Sequence, residues 1–267
     1  MRAKQGKRVW VYICLTASAI AASISASSAV KADDGMVLER LRPMYALEDA
    51  SIPAVNQRIR AVAYFSEKNL FGIPQKYVNW MAADFLMVLV HETGHYGEAS
   101  AQKLDPSIML QQTPFWINGR VDYGPENRNK KDCARIAIAG FVAAGNLAES
   151  LKRDIFLGNV PKESLRFMSM LALASELNLP FYLGQHYAET APDNSNDIES
   201  FSQNTGISPK TMTLSSGIHM LVNAPYMCRL VKNAFGPSPT APEKKDYFVS
   251  FRYNGDSYML TFHSDLI

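Results

Sequence analysis

Three features of the sequence predict a mainly helical α+β protein. Apolar residues recur at three- and four-residue intervals through several long stretches, the spacing that lines one face of an α-helix. Two Asn-Gly dipeptides, Asn118-Gly119 and Asn254-Gly255, each lie between β-branched and aromatic runs, which is the pattern of a two-stranded hairpin. Proline- and glycine-rich segments, above all Gly236–Pro242, punctuate the rest.

Residues 1–32 read as an export leader. Arg2, Lys4, Lys7 and Arg8 precede an apolar, small-residue run from Val9 to about Ser27, and Val30-Lys31-Ala32 offers a cleavage site, so a mature chain is expected to begin near Asp33. An uncleaved membrane anchor is the alternative, since the run is long enough to span a bilayer. The expected location is outside the cytoplasm: the periplasm first, with membrane-anchored and secreted forms as the other possibilities. Without the leader, 22 basic residues face 25 acidic ones, which gives no electrostatic basis for a nucleic-acid partner. No later stretch is apolar enough to span a membrane. Enough chain remains for one substantial core. Cys14 falls in the leader, leaving Cys133 and Cys228 as a disulfide or as two free thiols.

Residues 33–235 read as the main domain. Within it, Ile52–Leu70 carries Val55, Ile59, Val62 and Ala63 at helical spacing and is expected to be an amphipathic packing helix. Pro74, in a favoured first-turn position, then opens a long helix that ends before Asp105-Pro106. This helix holds His91-Glu92-Thr93-Gly94-His95. Histidines four apart share one helix face and can grip one Zn²⁺, with the intervening glutamate beside the metal. Zn²⁺ lowers the pKa of water toward about 7, and a carboxylate in reach takes the proton and passes it to a leaving amine. With 5 His and 12 Glu in 267 residues, H-E-x-x-H arises by chance in roughly 0.4% of such chains, so accident explains it poorly. The apolar run Phe85–Val90 delivers these ionisable groups into a buried segment, where they cost free energy unless paired or bound to metal. Gly94, costly inside a helix, marks a close approach by another segment.

A hairpin over Met109–Tyr123, turning at Asn118-Gly119, is expected to follow; its edge could pair with an extended peptide, or it could simply cover the core. Asp132–Phe156 reads as a second long helix, whose small residues Ala139, Gly140, Ala143, Ala144 and Gly145 make it the natural partner for Gly94. Glu149 emerges from that apolar helix with three readings: a direct metal ligand, a carboxylate that orients a ligand histidine from behind, or a group reaching solvent. Leu165–Leu177 is a third helix, ended by Asn178-Leu179-Pro180; the loop that follows, polar and turn-rich, runs through His186 to Asn196. A helical pattern restarts at Asp197, and another helix spans Pro209–Leu221. Residues 236–267 read as a linker and a C-terminal hairpin, Tyr247–Tyr253 against Ser257–His263.

A catalytic zinc commonly takes three protein ligands. The extended motif with a third histidine fails, because that position is Ala101. His186, His219 and His263 are possible third ligands, and carboxylates are better ones. Here the chain resembles a family. His91-Glu92-Thr93-Gly94-His95, Gly145-Asn146-Leu147-Ala148-Glu149-Ser150-Leu151 and Ser195-Asn196-Asp197-Ile198-Glu199 resemble three successive patches of the peptidase domain of the AAA-type, FtsH-like zinc proteases, within the zincin metallopeptidases. The resemblance implies a zincin-like helical core, Asp197 as third Zn²⁺ ligand, Glu92 as catalytic base and Glu149 as an orienting carboxylate. No G-x-x-x-x-G-K-[ST] phosphate loop is present, so the family's ATPase module is missing and proteolysis is expected to need no ATP. The order of motif, hairpin and small-residue helix is also similar to that of intramembrane site-2 proteases, without their membrane-spanning character. The expected function is an exported, zinc-dependent, ATP-independent metallopeptidase acting on protein or peptide. The alternatives are a non-catalytic envelope protein that keeps zinc as a structural staple and binds a partner chain, and a zinc hydrolase acting on a small amide or cell-wall peptide.

Overall fold

The computed structural model describes residues 75–112, 117–123, 128–188, 197–239, 247–253 and 258–264. The leader, the Ile52–Leu70 segment, Pro74, Ser195-Asn196 and Asn254-Gly255 lie outside the described residues. Six helices and two antiparallel hairpins make the described part mainly helical α+β, as the periodicity predicts.

Helix α1, Gln75–Ala101, is the metal-motif helix. It stops where Lys103 takes a left-handed φ of 62° and the Leu104 N–H donates back to the Ala99 carbonyl at 3.1 Å, a closure that satisfies carbonyls the last turn would otherwise leave bare. Strands β1, Ser107–Gln112, and β2, Ile117–Asp122, follow as a hairpin. The hairpin is where the sequence predicts it, but its turn is not. Asn118 and Gly119 lie inside β2, paired with Gln111 and Leu110, and the pairing continues to Gln112 opposite Ile117.

Helix α2, Lys130–Phe156, begins at Asn129, whose side-chain oxygen accepts from the Asp132 N–H at 2.9 Å. Its small residues do receive α1: a Cβ on Gly94 would lie 2.5 Å from the Ala139 carbonyl oxygen and 2.8 Å from the Ala143 Cβ. Glu98 and Arg135 also tie the two helices through an ion pair at 2.9 Å. Helix α3, Lys162–Glu176, is buried along most of its length.

A helix missing from the sequence reading comes next. Asn178-Leu179-Pro180 ends α3 as expected, but helix α4, Asn178–Tyr187, starts after the single residue Leu177, where a loop is predicted through His186. Pro180 sits in its first turn, where a missing N–H costs nothing. Helix α5, Asp197–Thr205, restarts where predicted. Helix α6, Pro209–Phe235, has Ser208 as its cap and runs nearly four turns beyond the expected end at Leu221, through Pro225. Arg166 of α3 closes its far end, donating to the carbonyls of Ala234 at 3.1 Å and Gly236 at 3.0 Å.

Strands β3, Tyr247–Tyr253, and β4, Tyr258–Ser264, pair with Tyr253 opposite Tyr258, the second predicted hairpin nearly to the residue. Phe248 of β3 is buried and pins this hairpin to the helices, stacked on Phe156 at 5.7 Å and edge-on to Tyr226 at 5.0 Å between ring centroids.

Two apolar clusters result. The larger joins α1, the C-terminal half of α2, α3 and the inner face of α6. The smaller joins the N-terminal half of α2 to α4, α5 and the start of α6 through Phe141, Leu183, Ile198, Phe201 and Met212. His91 meets Phe141 of the smaller cluster edge-on and bonds to Asn178, whose amide reaches Met87 of the larger one. Cys133 and Cys228 are free thiols. Among the described residues, no helix is long and apolar enough to cross a membrane.

Candidate metal centre

The histidines of α1 face α2 at the point where α2 has no side chain. A Cβ on Gly140 would lie 2.5 Å from His95 Nε2 and 2.6 Å from His91 Nε2, so only glycine admits both rings. The rings sit edge to face, with centroids 4.6 Å apart, and their Nε2 atoms are 2.9 Å from one another. Each ring is held from behind. His91 Nδ1–H donates to Asn178 Oδ1 at 3.0 Å, and His95 Nδ1–H donates to the Ile136 carbonyl at 2.6 Å. With Nδ1 so engaged, Nε2 is the nitrogen left for a metal.

Asp197, the first residue of α5, completes the group. Its Oδ2 lies 3.3 Å from His91 Nε2 and 3.2 Å from His95 Nε2. The helix dipole stabilises a carboxylate at that position, and packing of Ile198 in the smaller core sets where it points. Burial pushes the Asp197 carboxyl upward, but the two imidazoles beside it outweigh burial and hold it well below the usual carboxylate range. Burial lowers His91. For His95 burial acts the same way, yet the charge and hydrogen bond of Asp197 win and lift it to about 9. The charge of Asp197 thus favours a cation among these three side chains.

The residues fit such a cation. A tetrahedral Zn²⁺ with bonds of about 2.0–2.1 Å needs donors about 3.3 Å apart. The three observed separations are 2.9, 3.2 and 3.3 Å. Among the described residues, His91, His95 and Asp197 are the group able to hold a metal ion.

Glu92 lies beside this triangle, only 2% exposed, and burial pushes its carboxyl up to about 7. Strand β2 crosses directly over it. A Cβ on Gly119 would come within 2.6 Å of the Glu92 Cδ and Oε1 atoms. Here is the physical reason the predicted turn is absent. Gly119 serves a close approach of strand to side chain, and not a positive φ.

Glu149 does not orient the histidines. Both Nδ1 positions are taken by Asn178 and the Ile136 carbonyl, and Glu149 belongs to another buried cluster. There, Lys152 Nζ lies 3.4 Å from Glu149 Oε2 and 3.0 Å from Glu176 Oε2, while His219 Nε2 is 2.6 Å from Glu176 Oε1. His219 is thereby engaged away from the metal centre, His186 packs on Tyr187 at 5.3 Å, and His263 lies in β4.

Three residues of the centre escape the sequence reading: Asn178, Gly140 in this role, and Tyr182. Tyr182 stacks on His91 at 5.0 Å with 24° between rings, and Phe141 meets His91 edge-on at 5.0 Å. Together they close the side of His91 away from α1. Burial first, then the carboxylates of Asp197, Glu92 and Asp84, raise the Tyr182 phenol, so it stays protonated. The sequence reading takes Asn178-Leu179-Pro180 as a helix end, so the helix that carries Asn178 and Tyr182 to the histidines goes unrecognised there. Comparison of this chain with known protein families, curated proteins and solved structures found no match.

Proposed function

We propose that this chain is an exported zinc-dependent peptidase of zincin-like build that needs no ATP. The observation that carries the reading is the triangle of His91, His95 and Asp197, with donors spaced for Zn²⁺ and a buried carboxylate beside it. When bound, Zn²⁺ supplies Lewis acidity, easing deprotonation of water and polarising a scissile carbonyl.

The chain's own residues supply the rest. His91, His95 and Asp197 hold the ion, with the imidazoles fixed by Asn178 and the Ile136 carbonyl. Glu92, lifted to about 7 by burial, is matched to accepting a proton from water near neutral pH and returning it to the departing amine. Gly119 keeps β2 close over Glu92 and so limits how that carboxylate can turn. Strand β1 exposes Met109 and Leu110 at the rim of the same hairpin, a surface on which an extended peptide could pair as an added strand. Among the described residues three side chains meet at the site, which for a tetrahedral ion would leave one position open, as a catalytic site requires and a closed structural site does not. The leader-like residues 1–32 support export.

The test is hydrolysis of an unfolded, reduced protein by the zinc-loaded chain without ATP. Glu92→Gln is expected to lower the rate about 10²–10⁴-fold while zinc content and folding stay unchanged. Equal rates for the two proteins, or no hydrolysis by a zinc-loaded wild type, would overturn the reading.

A further inference from the structure

Helix α6 has two apolar faces, and among the described residues the other elements cover one of them. Met212, Met227, Leu230 and Ala234 face inward and are buried. On the opposite side Leu214, Ile218, Leu221 and Val222 are 67%, 48%, 76% and 50% exposed, and Val231 and Phe235 are exposed as well. No Asp, Glu, Lys or Arg occurs between Thr211 and Cys228. A helix that is apolar on both sides is one that is buried on both sides, and a contiguous stripe of this kind marks a contact surface.

The stripe has the period of a seam between paired helices. Leu214, Leu221, Cys228 and Phe235 repeat every seven residues, and Gly217, Ala224 and Val231 each follow three places after the first three. All are exposed except the half-buried Ala224. Alternation of three and four sustained over three heptads is the pattern of a helix packed on another helix of its own kind, narrower than the face a helix turns to a core. The seam is also complementary to itself when two copies run antiparallel. Leu221 of one copy then meets Ala224 of the other, Gly217 meets Cys228 and Leu214 meets Val231, so a larger side chain faces a smaller one in each layer. Charge favours the same direction. The cations of α6 sit near its ends, at Lys210, Arg229 and Lys232. A parallel pair would set Arg229 and Lys232 against their own copies. An antiparallel pair sets them beside an uncharged half and brings Lys210 to the carbonyl end of the other helix, where the dipole favours a cation. The area is of the right size as well: at these exposures the six apolar side chains offer roughly 650 Å² per copy, against about 800 Å² per partner in a stable interface that includes its polar rim.

We propose that this chain forms a two-fold dimer through the outward face of α6, with the two copies of the helix packed antiparallel about an axis between Leu221 and Ala224. The occupant of the stripe is a second copy of the same surface. Such a contact is closed, since one patch serves both subunits and none is left over to recruit a third. The dimer depends neither on the metal centre nor on peptidase activity.

The test uses the full chain with Cys14→Ser and Cys133→Ser, which leaves Cys228 as its thiol. Sedimentation at micromolar concentration is expected to give the mass of a dimer. Leu221→Asp should weaken self-association about 100-fold while circular dichroism stays unchanged, because the side chain has no place in the core of one copy. A second measurement reads the register. Gly217 has no atom within 4 Å of where a Cβ would lie, so Gly217→Cys fits, and under mild oxidation it is expected to link to Cys228 of the other copy. With Cys228 alone, or with Gly217→Cys and Cys228→Ser together, no linked dimer should form, since like positions lie about 16 Å apart along the antiparallel pair. A chain that stays monomeric at every concentration would overturn the proposal; slow alkylation of Cys228 in that monomer would assign the stripe to another part of the same chain. Linked dimers through Cys228 alone would overturn the antiparallel arrangement, and a dimer that survives Leu221→Asp would overturn the choice of face.

Discussion

Gly119 and Gly140 flank the metal centre from opposite sides, and each is there because a methyl group would not fit. Gly140→Ala would press a Cβ against both Nε2 atoms, so zinc affinity is expected to fall at least 10–100-fold, measured by competition with a chelating dye. Gly119→Ala would press on Glu92 instead. Zinc should be retained while hydrolysis falls about 100-fold, the cost of a displacement near 1 Å in a reacting group. Asn178→Ala removes the acceptor for His91 Nδ1–H, and a 10–100-fold loss of zinc affinity is expected with little change in helicity. At this scale the sequence is legible where a motif has fixed spacing: His91, Glu92 and His95 require only one helix. Gly119 is not, since Asn-Gly encodes a backbone preference for turns and says nothing of Glu92 lying across the strand. Glu149 misleads for a related reason. A buried acid demands a partner, but the sequence does not reveal that Lys152, one turn along, supplies it.

At the scale of elements, long periodic segments declare themselves and junctions do not. The second helix and the C-terminal hairpin match expectation within a few residues, because their apolar spacing is unbroken and their ends are capped by Asn129 and bounded by turn residues. Helix α4 is hidden by Pro180, which reads equally as the end of one helix and the first turn of the next. The outer half of α6 is hidden by Pro225, which tertiary packing of Met227, Leu230 and Ala234 overrides. Between elements, the buried group of Lys152, Glu176 and His219 links α2, α3 and α6. Burial works to raise the Glu176 carboxyl, but Lys152 and His219 outweigh it and hold the group below its ordinary value. A carboxyl held down in the folded state favours folding above its unfolded-state pKa, and this contribution disappears as pH falls through the depressed value. Acid unfolding below about pH 4.5 should therefore be blunted in Glu176→Gln relative to wild type, when followed by circular dichroism. At pH 7 the same variant should be less stable by about 3–5 kcal/mol, since Lys152 is only 1% exposed and loses its strongest partner.

Across the whole molecule, the centre is assembled from four helices. His91 and Asp197 are 106 residues apart in sequence, yet their ligand atoms are 3.3 Å apart. Asp197 is legible through the resemblance of Ser195-Asn196-Asp197 to a protease patch, while its distance from the histidines depends on how α5 docks in the smaller core, which only the three-dimensional structure reveals. An ion that bridges α1 to α5 ties folding to metal. At free zinc 1,000-fold above its dissociation constant, stabilisation of about 4 kcal/mol is expected, seen as a rise in melting temperature that a chelator reverses. The most direct measurement is the zinc content of the purified protein beside His95→Ala, Asp197→Ala and Glu149→Ala, with folding checked by circular dichroism. One zinc per chain, lost on changing His95 or Asp197 and kept on changing Glu149, is the predicted result. A folded wild-type protein that takes up no zinc, or that keeps it without Asp197, would contradict the account.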